Sequence, residues 1–206
     1  MQAILHGSLD IERIWADRPE RTVTTLLVAR LSCGTAHDHL CRIRNFSEGG
    51  MMIETLAPIA PGVPVSVEPR GGERFVGKAV WREGERAGVQ FDAPIDVERV
   101  LSDMRVGNGA MVRPRSPRFA IECPAQLNSF GRMIDVTVED VSQSGACVRM
   151  AHPPRTNAEV ILAIPGLPPR RCTTRWSRED KAGLFFHDTI SYRELAAWLE
   201  HRGSLH

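Results

Sequence analysis

The stretch DVSQSGACVRM, residues 140–150, has a counterpart in NFSEGGMMIET, residues 45–55, and this pair decides the fold of the 206-residue chain. The two segments lie 95 positions apart, and the same spacing aligns VWREGERAGVQF (80–91) with RWSREDKAGLFF (175–186). Identical residues then coincide at Ser47/Ser142, Gly50/Gly145, Trp81/Trp176, Ala87/Ala182, Gly88/Gly183 and Phe91/Phe186. A tryptophan followed at a fixed distance by Gly-x-x-Phe in both places indicates an internal duplication.

Each copy has the pattern of several short strands followed by one helix. In the first copy the strand-like segments are rich in β-branched residues and bounded by Gly, Pro, Asn or Asp: TVTTLLVARL, HLCRIRNF, GMMIET, VPVSVE, RFVGKAVW and AGVQF. The charged centres of 80–91 and 175–186 are typical of hairpin turns. Apolar residues at helical spacing predict a helix over 95–106 and another over 190–202. Short antiparallel strands with one capping helix indicate a small barrel, which closes its own edges.

The stretch between the copies changes composition from glycine-rich (RVGNGAMV) to basic and proline-rich (RPRSPR), as a linker does. We therefore expect a first barrel over 1–105, a linker with an arginine arm over 106–118, and a second barrel over 119–206. A copy of about 90–100 residues is large enough to bury its own core. Because glycine-rich chain is entropically costly to fix, we expect the barrels to be loosely oriented until a ligand orders the arm.

The overall composition is that of a globular protein, with 42% hydrophobic and 25% charged residues. No apolar run approaches the roughly 18–20 residues of a membrane span, and early acidic residues argue against a secretory signal. The net charge of +1 gives no electrostatic case for duplex nucleic acid or for an anionic membrane. Five cysteines without a C-x-x-C pair fit reduced thiols, so a cytoplasmic location is expected.

The segment from Asp140 to Gly145 carries the first candidate binding groups. Alternate residues of a strand face the same side, so we expect Asp140 and Ser142 to project together while Val141 faces the core. Gly145 can adopt a positive φ or let a planar ligand approach the backbone closely. When this segment is taken alone, a hairpin turn that merely carries Asp, Ser and Gly is the favoured explanation.

An arginine arm, residues 113–118 (RPRSPR), lies just upstream. Its prolines disfavour helix and bias the chain towards polyproline II, in which Arg115 and Arg118 lie on one face. Together with Arg113 they can bind phosphate or the O6 and N7 atoms of guanine, whereas a solvated basic linker is the simpler alternative. A carboxylate such as Asp140 accepts from guanine N1–H and N2–H₂, so the two segments together fit a phosphorylated guanine ligand.

The D-x-S-x-x-G pattern at Asp140, Ser142 and Gly145, preceded by an arginine arm, resembles the PilZ domain. The resemblance covers both repeats and hence most of the chain. It implies two six-stranded antiparallel barrels, each with a C-terminal helix, in a mainly β protein. It further implies that cyclic di-GMP is the ligand, with the arm gripping guanine and phosphate while the D-x-S-x-x-G segment holds the other face.

The arm departs from the R-x-x-x-R spacing of this family. Two residues separate Arg115 from Arg118, and four separate Arg113 from Arg118. The spacing thus differs by one residue in either direction. Binding then depends on the arm being flexible enough to accommodate this change.

The first copy departs further from the family pattern. Asn45, Ser47 and Gly50 fit N-x-S-x-x-G and mark a possible second site. However, Val23 stands where the second copy has Arg118. We therefore expect the first barrel to be degenerate as a ligand site.

Two further features are assigned structural roles. His37-Asp38-His39 offers two imidazoles, but no third ligand with supporting spacing is evident, so a polar loop is favoured and no metal site is predicted. Trp81 and Trp176 could stack on a base, yet their hairpin setting favours packing at the core or rim.

The sequence thus predicts a non-enzymatic receptor that binds cyclic di-GMP through its second barrel, without any other cofactor. We expect it to relay the ligand to an unidentified protein partner through the ordered linker. The alternative is a protein-interaction module of the same fold that binds no nucleotide. An enzyme is disfavoured because no acid–base pair, nucleophile motif, P-loop or dinucleotide fingerprint is recognisable.

Overall fold

The computed structural model describes residues 23–35, 37–69, 73–100 and 116–203 of the chain. The first group of strands is β1 (Val23–Ser32), β2 (His39–Ser47), β3 (Gly50–Thr55), β4 (Pro64–Pro69), β5 (Phe75–Glu83) and β6 (Arg86–Phe91). The second group is β7 (Phe119–Ser129), β8 (Arg132–Ser142), β9 (Gly145–Arg149), β10 (Glu159–Ala163), β11 (Arg170–Arg178) and β12 (Lys181–Phe186). A helix α1 begins at residue 97 and is described to residue 100, and α2 spans Tyr192–Gly203.

Each group of strands closes into an antiparallel barrel, in the order β1-β2-β3-β6-β5-β4 and β10-β11-β12-β9-β8-β7. The predicted fold, two six-stranded barrels in a mainly β chain, is confirmed. Along β5 buried and exposed residues alternate strictly from Phe75 to Val80, as expected when one face of a strand lines the core. The first core centres on Leu31, Ile43 and Ile53, and the second on residues such as Phe186.

Trp81 and Trp176 occupy equivalent places, as the duplication predicts. A β-bulge precedes each of them, and they pair with Gly88 and Gly183 on the neighbouring strand. A Cβ on either glycine would lie 2.0 Å from the indole Nε1 of its tryptophan. The indoles therefore lie flat over bare backbone, which explains why glycine recurs at this point in both copies.

Both helices begin with a capping side chain. Asp96 accepts a hydrogen bond from the backbone N–H of Arg99 (3.0 Å) at the start of α1. Ahead of α2, Ser191 and Glu194 form a capping box, in which each side chain accepts from the other residue's backbone N–H (3.2 and 3.4 Å). In the part of the chain that the structure describes, no helix reaches the length and apolarity that a membrane span requires.

The two barrels pack directly on each other in this structure. Leu40 of β2 is fully buried among core residues of the second barrel, whereas its neighbour Cys41 faces the core of the first. The Tyr192 hydroxyl, at the start of α2, donates to the carbonyl oxygen of Glu54 (2.7 Å), and the Arg42 guanidinium lies 4.2 Å from its ring centroid. The start of β2 is thus covered on both faces, and α2 docks on its outer face.

Candidate functional site

The β8–β9 hairpin holds the D-x-S-x-x-G segment. Ser142 pairs with Gly145 across a two-residue turn, and the Ser142 hydroxyl donates to the Gly145 carbonyl oxygen (3.2 Å). The Ser142 side chain is completely buried. In this structure its hydroxyl is therefore satisfied inside the hairpin and closes the turn.

Asp140 and Ser142 differ in exposure, although the pairing of β8 with β9 is regular from Asp140 to Ser142. A bulge interrupts β8 between Val138 and Asp140, and beyond it both Val141 and Ser142 are fully buried. The chain that leads into α2 covers the tip of the hairpin, where the backbone N–H of Ile190 donates to the carbonyl oxygen of Gln143 (2.8 Å). Asp140 keeps a partly exposed side chain at this end of the strand.

The first barrel repeats this covered hairpin. The Ser47 hydroxyl donates to the Gly50 carbonyl oxygen (3.4 Å), and the backbone N–H of Ile95 donates to that of Glu48 (2.9 Å). Asn45, the counterpart of Asp140, again follows a bulge in its strand. Ser47 and Gly50 thus have a structural task that requires no ligand.

Gly50 and Gly145 are required by strand packing. A Cβ on Gly145 would lie 2.3 Å from the carbonyl oxygen of Leu184, and one on Gly50 would lie 2.4 Å from that of Val89. Neither glycine is among those with positive φ. The glycine of the motif therefore lets the neighbouring strand approach closely, and the positive-φ alternative considered for Gly145 does not apply.

Arg118, the last residue of the arm, lies against Asp140 and forms an ion pair with its carboxylate. Both side chains are about one-third exposed, at 36% and 30%. The Ser116 hydroxyl of the arm donates to the side-chain carbonyl of Gln143 in the hairpin turn (2.9 Å). The described end of the arm thus rests on the D-x-S-x-x-G hairpin, while Arg113 and Arg115 lie outside the described residues.

Arg118 and Asp140 line a cleft of about 630 Å³ between the two barrels. Arg30 of the first barrel and Arg202 of α2 also line it. Arg30 Nη2 donates to the carbonyl oxygen of Arg118 (2.6 Å), which joins β1 to the start of the second barrel. Three guanidiniums around a concave surface can bind an anion or the acceptor edge of a purine.

Arg30 and Arg202 were missed by the sequence reasoning. Arg30 lies within a strand of the first copy and Arg202 near the end of α2, so neither belongs to the motif or to the arm. Their place in the cleft results from the packing of one barrel on the other. No periodicity or spacing in the sequence reports that packing.

A second charged cluster lies beside the hairpin, on the outer surface of the second barrel. Glu139 forms ion pairs with Lys181 (2.6 Å) and Arg149 (2.9 Å). The hydrogen bond from Lys181, with the charges of Lys181 and Arg149, lowers the pKa of Glu139. Burial raises the pKa of the neighbouring Cys147 thiol, and the Asp140 charge raises it further, so this thiol is protonated at neutral pH.

The structure is that of a tandem-barrel protein: two like barrels, each with the same covered hairpin, enclose a polar cleft that a partly exposed arginine–carboxylate pair lines. The model of the PilZ domain matches residues 16–104 and again residues 113–201, and the chain belongs to this family. No curated protein sequence gave a match.

Several solved structures are similar to this chain over most of its length, at low identity. PlzA of Borreliella burgdorferi in complex with c-di-GMP is 11% identical with a TM-score of 0.35, covering 82% of this chain and 84% of its own. The inhibitor of motility MotI/DgrA of Bacillus subtilis is 12% identical with a TM-score of 0.36, covering 89% and 99%. YcgR of Escherichia coli in complex with c-di-GMP is 10% identical with a TM-score of 0.33, covering 87% and 86%.

Proposed function

We propose that this protein is a non-enzymatic cytoplasmic receptor whose second barrel binds cyclic di-GMP in the cleft between the barrels. The observation that carries the proposal is the exposed ion pair of Arg118 and Asp140, which lies at the junction of the arm and the D-x-S-x-x-G hairpin. Family membership supports the same assignment, because the arm and the hairpin are the parts of a PilZ domain that contact this ligand.

The chemistry of guanine fits this pair. Arg118 can donate two parallel hydrogen bonds to guanine O6 and N7, and Asp140 can accept from N1–H and N2–H₂. The two side chains now satisfy each other, but a partly exposed pair of this kind contributes only about 0–1 kcal/mol. Guanine can therefore replace that contact at little cost. Arg113 and Arg115 would add phosphate contacts from the same arm.

The remaining motif residues act through the shape of the hairpin. Ser142 and Gly145 fix a covered turn, and this sets the direction in which Asp140 leaves its strand. The first barrel has the same turn at Ser47 and Gly50, but it offers an amide at Asn45 in place of a carboxylate. We therefore assign one nucleotide site to the chain, in the second barrel.

We further propose that the ligand signals to a protein partner through the inter-barrel contact and the linker. The cleft has walls from both barrels, so a bound nucleotide interacts differently with different relative poses. A ligand can shift such an equilibrium only by its differential affinity for the two arrangements. Ordering of residues 106–118 on the ligand would shorten the tether and favour one pose, which the partner then recognises.

The alternative function is a protein-interaction module of the PilZ fold that binds no nucleotide. It is favoured by the mutual satisfaction of Arg118 and Asp140 and by the Arg30 contact to the Arg118 carbonyl. The irregular arginine spacing of the arm also favours it. Under this alternative the same cleft would hold a peptide of the partner.

Calorimetry with purified full-length protein and cyclic di-GMP separates the two functions. The receptor is expected to bind cyclic di-GMP at one site per chain. Arg118→Ala weakens binding by about 1–3 kcal/mol, or roughly 5- to 150-fold, and more than Arg113→Ala does. Arg132→Ala, on the distant β7–β8 turn, controls for net charge, and Asn45→Ala controls for the first barrel. Absence of heat with the wild type, or equal losses for all four variants, would favour the interaction module.

The relay is tested separately by hydrogen exchange of the full chain with and without saturating cyclic di-GMP. We expect increased protection over residues 106–118 and altered protection in β2 and α2, where the barrels meet. If protection changes only around the β8–β9 hairpin, the protein is a static binder and the relay is refuted.

A further inference from the structure

Three side chains with metal-binding atoms converge where the first barrel meets α2. They are His37, His39 and Glu200, and their donor atoms all lie within 4.8 Å of one another. The two histidines come from the first barrel, whereas Glu200 lies on α2 and is 161 positions from His39 in sequence. The sequence reasoning found no third ligand for the His37-Asp38-His39 segment because that ligand comes from the other barrel.

His39 is oriented by a second layer of hydrogen bonds. Its ring is 1% exposed, with Nδ1 2.6 Å from Glu200 Oε1 and Nε2 2.7 Å from the Thr35 hydroxyl oxygen. Since the Thr35 hydroxyl donates to the carbonyl oxygen of His37 (2.8 Å), its oxygen is left to accept from His39 Nε2–H. Nδ1, which faces the Glu200 carboxylate, is therefore the nitrogen that remains available to a metal ion. A hydrogen-bonded second nitrogen of this kind is typical of a metal-ligating histidine.

His37 supplies an independent observation. Its Nε2 atom is buried and has no hydrogen-bond partner within the described residues. The His37 ring packs against Gly203 at the end of α2, where a Cβ would lie 2.1 Å from Nε2, and its centroid is 4.4 Å from that of His39. An unsatisfied buried nitrogen is costly unless a ligand or ion completes it.

Asp38, between the two histidines, does not belong to the cluster. Its carboxylate accepts from the Ser32 hydroxyl (2.5 Å) and lies 3.5 Å from Arg30 Nε. The alternation of the chain directs it away from the imidazoles. The donor set is therefore two imidazole nitrogens and one carboxylate.

We propose that His37, His39 and Glu200 form a zinc site that joins the two barrels. Two histidines and one carboxylate, with a water molecule in the fourth position, are a common ligand set for Zn²⁺. Bonds of about 2.0–2.1 Å in a tetrahedron place donor atoms about 3.3 Å apart. Zinc binding would therefore open the 2.6 Å contact between His39 Nδ1 and Glu200 Oε1 and bring the other donor pairs, which lie within 4.8 Å, to the same distance. Magnesium and calcium prefer sets of oxygen ligands, and this set excludes them.

The site has a structural consequence that does not depend on nucleotide binding. It ties the segment before β2 to the last turn of α2, so a bound ion would hold the barrels in the pose seen here. His37 and Gly203 also line the inter-barrel cleft, so the ion would fix one wall of that cleft. Whether zinc is bound would then determine the shape of the cleft that any ligand meets.

Calorimetry of the untagged, chelator-treated full chain with ZnCl₂ at pH 8 tests the site. We expect one ion per chain with micromolar or tighter affinity. His37→Ala and Glu200→Gln should each weaken binding by at least about tenfold. The matched control is His187→Ala, because His187 also pairs with a glutamate, Glu159 (3.1 Å), but forms no group of three potential metal ligands among the described residues. It should bind zinc as the wild type does.

Thermal unfolding supplies a second readout. Zinc should raise the Tm of the wild type and of His187→Ala, but not that of His37→Ala. His37 lies in a partly exposed loop, so this variant is expected to fold even if Glu200→Gln does not. Millimolar affinity in the wild type, or equal weakening in His187→Ala and His37→Ala, would overturn the proposal.

Discussion

Replacing Gly50 by alanine should destabilise the first barrel, although this barrel is expected to bind no ligand. The added Cβ would lie 2.4 Å from the Val89 carbonyl oxygen, whereas ordinary contacts begin at 3.4 Å. The obstacle is backbone of the paired strand β6, so it cannot be relieved by rotating a side chain. Either β3 and β6 separate by about 1 Å at this point or the hairpin tilts.

The expected cost follows from overpacking of a closed sheet. Inserting a methyl group into well-packed structure costs about 1–3 kcal/mol. The loss of glycine's freedom in the unfolded chain returns only about 0.4–1 kcal/mol. The net loss should be about 1–2 kcal/mol. For a barrel of this size, each kcal/mol of lost stability lowers the Tm by roughly 4–8 °C.

Differential scanning calorimetry of three variants checks the reasoning. Gly145→Ala should behave like Gly50→Ala, since its Cβ would lie 2.3 Å from the Leu184 carbonyl oxygen. Gly49→Ala is the matched control, because its Cβ has no atom within 4 Å and its φ is not positive. This variant should keep the wild-type Tm or exceed it slightly.

One result would refute the argument. If Gly50→Ala and Gly145→Ala both keep the wild-type Tm, strand packing does not require these glycines. If Gly145→Ala then also loses cyclic di-GMP binding, the glycine is needed for close approach of the ligand. The proposed nucleotide site would survive that outcome, and only the structural account of the motif would fall.

Three further predictions concern single side chains. Asp140→Ala should reduce the preference for cyclic di-GMP over cyclic di-AMP in competition calorimetry, because adenine lacks the donor pair of guanine; equal wild-type affinities would contradict this. Tyr192→Phe removes the 2.7 Å hydrogen bond to the Glu54 carbonyl and should cost about 1 kcal/mol in urea unfolding, whereas an unchanged midpoint would argue against the interface. The lowered pKa of Glu139 stabilises the fold above its ordinary value of 4.5, and this contribution is lost as pH falls through the folded-state pKa. The wild type should therefore lose its advantage over Glu139→Gln as the pH falls below about 4.5, and a constant difference would refute the role of Lys181.

The architecture could be predicted from the sequence because duplication makes weak local signals agree. One D-x-S-x-x-G segment is compatible with any hairpin, but two at a spacing of 95 positions, each followed by Trp and Gly-x-x-Phe, are not. The proximity of Arg118 and Asp140 was also foreseeable, since the arm enters β7 and β7 pairs with β8. These inferences depend on neighbouring strands and need no knowledge of distant packing.

The rest of the site could not be predicted, for two physical reasons. Strand alternation does not reveal that Ser142 is buried, because it is the chain before α2 that covers the tip of the hairpin. The contact between barrels brings together residues such as His39 and Glu200, which no local pattern connects. A glycine-rich linker indicates that the two barrels can move relative to each other. The complementarity of their facing surfaces, which opposes that movement, is visible only in three dimensions.

The two copies show which part of the motif belongs to the fold and which part can change with function. The serine and glycine recur because each barrel needs the closed hairpin, so their presence does not indicate a ligand site. The residue two positions before the serine differs, being Asn45 in the first barrel and Asp140 in the second. The neighbouring charges are exchanged: Arg44 pairs with Glu54 in the first barrel, whereas Glu139 pairs with Arg149 in the second.

The exchanged charges lie where α2 docks. The Glu54 carbonyl oxygen accepts the hydrogen bond from the Tyr192 hydroxyl, and the Arg42 guanidinium lies over the Tyr192 ring. The outer face that carries the proposed nucleotide groups in the second barrel thus serves as a docking surface in the first. A duplicated binding domain can lose its ligand and still be retained, because its hairpin keeps the barrel folded and its altered face holds the other copy. Restoring a carboxylate with Asn45→Asp should therefore not create a second nucleotide site. Calorimetry showing a second site in that variant would contradict this division of roles.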